Sequence, residues 1–216
     1  MARTTKVTLS VDNNAFKQMM DVVKGCCDKS SDTTRYIQLT VTREGICAIS
    51  TNGYRAARCN FADDALNIGG FPVEAEEEVV FYIEPVKVKR SKDEKRVYLS
   101  LVEEDGSMCA EVRVSNEDGY SYTTYGFYQP LDAEQMFERI KSVFENAHNK
   151  NNNTTYVSGS SFALAAAGIA SFNDEMVIKM GSEYKAPILL TTTDEDGAYV
   201  ADQVVIPLDP SDLKNN

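Results

Sequence analysis

RYIQLTVTREGICAISTNGYRAARCN, residues 35–60, alternates in its first half. Ile37, Leu39 and Val41 fall on one side, and Gln38, Thr40 and Thr42 on the other, the period-two pattern of a half-buried strand. Glu44-Gly45 reads as a tight turn and Ile46 to Ser50 as a second, more fully apolar strand. Asn52-Gly53 is a strong hairpin signal, because both residue types tolerate the positive φ of a type I′ turn. Tyr54 to Phe61 leads out as a third strand, so an antiparallel meander is expected here.

Upstream, Lys6 to Val11 alternates as a short strand, and Asp12 or Asn13 is placed to cap a helix. Phe16, Met19, Met20, Val23 and Cys26 or Cys27 then recur at helical spacing. The other helix face carries Lys17, Asp21, Lys24 and Asp28. It reads either as a solvated face or as lysines turned toward a polyanion, and the interspersed aspartates leave both open. Downstream come a loop from Asp63 to Pro72, an acidic stretch at Glu74 to Glu78, and an apolar strand from Val79 to Ile83, ended by Pro85. The densest basic cluster follows, with Lys87, Lys89, Arg90, Lys92, Lys95 and Arg96 inside Val86 to Arg96. It reads as a solvated hairpin tip or as a phosphate-contacting loop, since long cationic side chains reach phosphates without sequence-specific geometry. Val97 to Val102 and Met108 to Val114 form a hairpin around Glu104-Asp105-Gly106. Gly119 to Tyr128, with Tyr120, Tyr122, Tyr125 and Tyr128, reads as an extended aromatic connector, suited to packing between units or to stacking bases.

Pro130 and Asp132 open a second helix, Ala133 to Ala147, in which Asp132 and Gln135 resemble a capping box. Met136, Phe137, Ile140, Val143 and Phe144 make its apolar stripe, and Arg139 and Lys141 share the polar side with Glu134, Glu138 and Glu145. Asn146 to Thr155 reads as a loop and Tyr156-Val157 as a brief strand. Ser160 or Ser161 caps an alanine-rich helix, Phe162 to Ile169. Met176 to Met180, Ile188 to Thr192 and Ala198 to Leu208 are strands, and residues 209–216 form a polar tail. The order predicts an α+β fold in two units, residues 1–128 and 129–208, each an antiparallel sheet with helices packed on one face.

A net charge of −11 argues against a protein that grips nucleic acid with its whole surface, but leaves room for a local basic face. No apolar run approaches the roughly 20 residues of a membrane span, and MARTTKVTLSVD lacks a signal-peptide core, so a cytoplasmic protein is expected. The cysteines Cys26, Cys27, Cys47, Cys59 and Cys109 are irregularly spaced, which suits reduced, mostly buried thiols. His148 is the only histidine, which excludes a His-rich zinc site and disfavours a Ser-His-Asp triad. No phosphate-cradling or dinucleotide-binding glycine motif is present. The carboxylates at Glu74 to Glu78 and Asp194 to Asp196 lack the apolar surroundings that tune acid–base catalysts. A non-enzyme is therefore expected, with no catalytic residue, metal or cofactor.

TNGYRAARC, Thr51 to Cys59, is similar to the T-D-G-H-R-L-A segment in the middle domain of the bacterial DNA sliding clamp, the β subunit of DNA polymerase III. AYVADQVVIPL, Ala198 to Leu208, resembles that family's closing strand, and SSFALAAAGI, EMVIKMG and PILLTT follow the order of its last domain. The resemblance implies a DNA clamp fold whose first unit is like the middle domain and whose second is like a shortened last domain. It implies a homo-oligomeric ring around double-stranded DNA, without sequence preference, that tethers a DNA polymerase or other clamp-binding protein. A clamp-fold adaptor that binds such peptides without encircling DNA is the alternative. By position, the partner-peptide groove falls on Thr51, Gly53, Tyr54, Arg55 and Ala56; on Pro130 and Leu131; and on Val204, Val205, Ile206, Pro207 and Leu208. The DNA-facing residues implied are Lys17, Lys24, Arg139 and Lys141, on the two helices placed at the hole. The chain departs from the family in having room for two domains rather than three, and in carrying Val86 to Arg96 in place of a helix. The second unit lacks its first hairpin, and Tyr54 for His and Ala56 for Leu reshape the pocket.

Overall fold

A computed structural model describes residues 3–71, 78–116, 121–130, 133–149, 157–170, 176–180, 186–193 and 199–207, with the backbone alone for 147–149 and 199–200. Strand β1 (Arg3–Asp12) runs directly into helix α1 (Asn13–Val23). Asp12 ends the strand and caps the helix: its Oδ1 accepts the N–H groups of Asn14 and Ala15, each at 2.8 Å. Two of the helix's orphan donors are thereby satisfied. Phe16, Met19, Met20 and Val23 are buried, and the chain leaves through a 3-10 turn, Lys24–Cys26.

The meander forms as read, with β2 (Ile37–Val41), β3 (Gly45–Thr51) and β4 (Arg55–Ala62) paired antiparallel. Its second turn is of another type than expected. The Asn52 N–H donates to the Arg55 carbonyl at 3.2 Å, so Gly53 and Tyr54 are the central residues. Only Gly53 has positive φ, +87°, which is what type II′ requires. Asn52 acts through its side chain, whose Oδ1 accepts from the N–H groups of Tyr54 (3.1 Å) and Arg55 (3.0 Å). The loop after β4 opens with one helical turn, α2 (Asp63–Leu66). Gly69 then exchanges backbone hydrogen bonds with Ser10, both 2.8 Å.

Strands β6 (Arg96–Glu104) and β7 (Ser107–Ser115) form the expected hairpin, and both of its turn residues, Asp105 and Gly106, have positive φ. The aromatic connector is a strand, β8 (Tyr122–Tyr128), paired with β7, so the first sheet has the order β1-β6-β7-β8. Tyr98 and Tyr122 meet edge to face at 6.0 Å, and the Arg113 guanidinium lies 4.4 and 5.0 Å from the two rings. These two rings are therefore engaged by protein groups.

The second sheet adds β5 (Val79–Ile83), β9 (Val177–Met180), β10 (Ile188–Thr193) and β11 (Tyr199–Val205), in the order β5-β2-β3-β4-β11-β10-β9. Pairing of β11 with β4 runs from Tyr199↔Phe61 to Val205↔Arg55, so one sheet is continuous across the boundary expected after residue 128. Val157 lies outside any strand, and Tyr156 lies outside the described residues. Helix α4 (Gly159–Ala170) starts at Ser158 rather than Ser160 or Ser161, because the Ser158 Oγ accepts the Ser161 N–H at 3.3 Å.

Alternation along the strands decides which helix covers which face. Ala48, Ala57, Cys59, Leu190, Ala201 and Val205 point to the side of α1 and α4. Ile49, Ala56, Leu189 and Val204 point the other way, where helix α3 (Ala133–Asn149) lays Phe137 and Phe144 on them. The α+β arrangement is as expected, but α3 does not share the face of α1 and α4. The reason is legible in β3, where Ile46 and Ala48 on one side and Cys47 and Ile49 on the other are all apolar, so both faces need cover.

Candidate partner groove and nucleic-acid face

Pairing of β4 with β11 brings the Thr51–Ala56 and Val204–Pro207 segments together, and the Ile206 N–H reaches the Tyr54 carbonyl at 3.4 Å. At this end of the sheet Tyr54 is 73% and Ile206 36% exposed, next to exposed Gly53 and half-buried Pro207. The other groove positions lie beneath them. Ala56 and Val204 are buried under α3, and Val205 is buried on the α1 side. Thr51 is buried, donating its hydroxyl to the Arg55 carbonyl at 2.9 Å and accepting the Gly53 N–H at 3.0 Å. Arg55 is only 7% exposed, and its guanidinium donates to the Gly25 carbonyl, tying β4 to the turn after α1. Pro130 is not brought to this end. Gln129, just before it, hydrogen-bonds both backbone groups of Tyr82 on β5, capping that sheet edge. Strand β5 lies three strands from β4, roughly 14 Å at ordinary spacing. Leu131 and Leu208 lie outside the described residues.

The implied DNA-facing residues divide between opposite faces of the sheet. Lys17 stands on α1 and Lys24 in the 3-10 turn that follows it, and both pair with Asp21. Burial pushes the Asp21 carboxyl up, but the two ammonium groups outweigh it and hold it below the usual range. Arg139 is exposed on α3, and Lys141 pairs there with Glu138 at 2.7 Å. Alternation that directs one helix stripe to each side of the sheet keeps these pairs apart. On the α1 side the basic surface continues: Lys17, Asp21, Lys24 and Lys87 share a cleft of about 220 Å³ between α1 and the chain after β5. A second cleft, about 420 Å³, lies between α1 and α4. There Gly168 lets α4 approach the buried Gln203, since a Cβ at that position would stand 1.8 Å from Nε2.

The thiols are poor nucleophiles. Desolvation pushes Cys26 and Cys47 up to about 11 and Cys27 to about 12, and Cys59, fully buried, also lies well above its ordinary value. The reactive thiolate is therefore scarce at neutral pH. No helix among the described residues is long and apolar enough to cross a membrane.

Neither a protein-family model nor a curated protein matches the sequence. Solved structures do match, and the fold is that of the DNA sliding clamps. Among the similar structures, the proliferating cellular nuclear antigen of Entamoeba histolytica has a TM-score of 0.55 at 10% identity, over 95% of this chain and 100% of that one. The Pseudomonas aeruginosa DNA polymerase sliding clamp has 0.58 at 11%, over 95% and 68%. The Helicobacter pylori β clamp, solved with diflunisal, has 0.59 at 10%, over 95% and 67%. At such identities the likeness is one of fold.

Proposed function

We propose that this protein is a non-enzymatic, sliding-clamp-like processivity factor whose copies encircle duplex DNA and tether a polymerase or another replication protein. The observation that carries this reading is the clamp fold extending over 95% of the chain. Encirclement retains DNA by topology, so weak phosphate contacts from a local basic face suffice and an overall charge of −11 is no obstacle. Kinship with the bacterial β subunit, with residues 1–128 as its middle domain and 129–208 as a shortened last one, rests on the Thr51–Cys59 and Ala198–Leu208 motifs. The edge strand β9, exposing Val177, Ile178 and Met180, supports pairing with another copy. The partner groove then centres on exposed Gly53, Tyr54 and Ile206, with half-buried Pro207 beside them. Purified protein loaded on nicked circular DNA tests the reading. Retention on the circle and loss on linearisation are expected, and equal retention on both forms sinks encirclement.

The adaptor reading is favoured by one feature, the Tyr54–Ile206 patch, which is complete within a single chain. It predicts capture of clamp-binding peptides with no topological retention on circles, and loss of that capture in Tyr54→Ala.

A further inference from the structure

Helix α3 packs on the sheet as a layer of its own. The floor of Ile49, Ala56, Leu189 and Val204, with Phe137 and Phe144 laid on it, is a cluster of buried side chains separate from the main core. The Phe137 ring lies 5.6 Å from that of Tyr82, and the Phe144 ring 4.8 Å from the Arg58 guanidinium. The two phenylalanines stand two turns apart, which sets them about 10 Å from each other along the helix axis. The rest of the stripe, Met136, Ile140 and Val143, is only half-buried.

The covered face keeps polar atoms without partners. Gln38 is 2% and Thr40 7% exposed, and both lie on the α3 side of β2, opposite Ile37, Leu39 and Val41 of the main core. Gln38 donates to the Tyr82 hydroxyl at 3.0 Å, but its Oε1 and the Thr40 Oγ1 have no hydrogen-bond partner among the described residues. Water reaches this face once the helix lifts, so the desolvation of these atoms works against the docked state. A helix also leaves a sheet face without breaking a ladder, because its backbone hydrogen bonds are internal. An antiparallel sheet tolerates one solvated face, and the core on the α1 side still holds β2, β3 and β4.

Ala56 and Val204, beneath α3, are also groove positions, each two residues along the chain from exposed Tyr54 and Ile206. The exposed patch is thus the rim of a surface whose floor is filled by the chain's own helix. We infer that α3 is an autoinhibitory occupant of the partner groove, displaced by a partner peptide that sets two large apolar side chains, about 10 Å apart, on the floor of Ile49, Ala56 and Val204. The inference rests on the proposed function for the existence of such a partner, and adds how access to it is controlled. The resident helix is a tethered competitor: only the undocked fraction of the protein binds, so apparent affinity falls by that fraction. Tyr54, 73% exposed, is left uncovered by α3, and a partner that covers it makes a contact that the resident helix lacks.

The test uses the full chain and, as probe, a fluorescent synthetic peptide of residues 133–149. Phe137→Ala and Phe144→Ala together loosen the resident helix, so this variant binds the probe about tenfold or more tightly than the unaltered protein, whose own helix holds the site. Equal binding by the two proteins, or none by either, overturns the inference. A benzophenone in place of the second phenylalanine of the probe crosslinks to β4 or β11, and crosslinks confined to other elements also overturn it. Amides of β3 and β4 keep their protection from hydrogen exchange in the variant; their loss would make α3 integral to the fold and not an occupant. In the unaltered protein, amides of residues 137–146 exchange about a hundredfold faster than those of β4, because the helix lifts and unravels while the sheet stays. Equal protection of helix and strand refutes displacement without any variant. Retention on nicked circles reads the clamp proposal separately. Intact retention with equal probe binding refutes the resident helix and not the ring, and lost retention with unequal probe binding counts against the ring and not the helix.

Discussion

Gly168 shows how a single missing Cβ sets the distance between two elements. Gln203, 1% exposed, fills the space between α1, α4 and β11, with its amide directed at the Val22 carbonyl and the Cys26 thiol. Gly168→Ala overpacks this site and is expected to cost about 1–3 kcal/mol, read as a fall in the denaturant midpoint. The thiols give a second residue-scale prediction. At pH 8 a thiol reagent modifies Cys26 and Cys59 rapidly only after denaturant is added, because burial both raises their pKa values and blocks access. Fast native labelling of Cys59 contradicts the packing described. The buried state of these cysteines was legible from their apolar strand and helix positions. The role of Asn52 was not, because Asn-Gly serves equally well as the two central residues of one turn type or as the Asx lead-in to another. Arg55 was also misleading. A charged residue in a resemblance-derived groove gave no sign that its guanidinium would turn inward onto a backbone carbonyl.

At the scale of elements, α3 carries the largest difference between expectation and fold. Its stripe of Met136, Phe137, Ile140, Val143 and Phe144 was plain, but a stripe says only that a helix has a partner surface, not which side of a sheet supplies it. The floor beneath it is mixed. Ile49, Ala56 and Val204 are apolar, while Gln38 is buried and hydrogen-bonded to the Tyr82 hydroxyl at 3.0 Å. Asp202 is fully buried and paired at 2.5 Å with Arg58, whose guanidinium lies 4.8 Å from the Phe144 ring. Phe137→Ala is expected to destabilise by about 3–5 kcal/mol if α3 is an integral layer, measured by chemical denaturation. A change below about 1 kcal/mol would mean that the helix docks and undocks independently of the global transition. The alternation of Val86, Lys87, Val88 and Lys89 was equally present in the sequence, but the density of charge around it concealed a period of two over so short a run. Strand β8 was missed for a related reason: Tyr, Thr and Gly at its alternate positions give little contrast between faces.

For the whole molecule, the strand inventory and antiparallel class could be read from residues 35–60 and 97–114, while the joining of β4 to β11 could not, since no local pattern specifies which distant edge a strand will meet. That joint suggests a further test. Deleting residues 199–207 uncovers the β4 edge and detaches β10 and β9 from the sheet, so the shortened chain is expected to associate or precipitate rather than remain a folded monomer, as light scattering would show. A monodisperse, cooperatively folded product would mean that the two halves hold their structure separately.

The same joint has a kinetic meaning. During synthesis β4 emerges well before its neighbour β11, with β5 to β10, α3 and α4 made in between. Until β11 is made, one central strand of the eventual sheet is therefore a raw edge, with ladder groups open to any passing extended chain. High contact order at this seam makes its closure a slow event in folding. A protein built this way depends on rapid completion of β11, and its yield in a cell should respond more to ribosome stalling just before that strand than to the same delay within the β2–β4 meander.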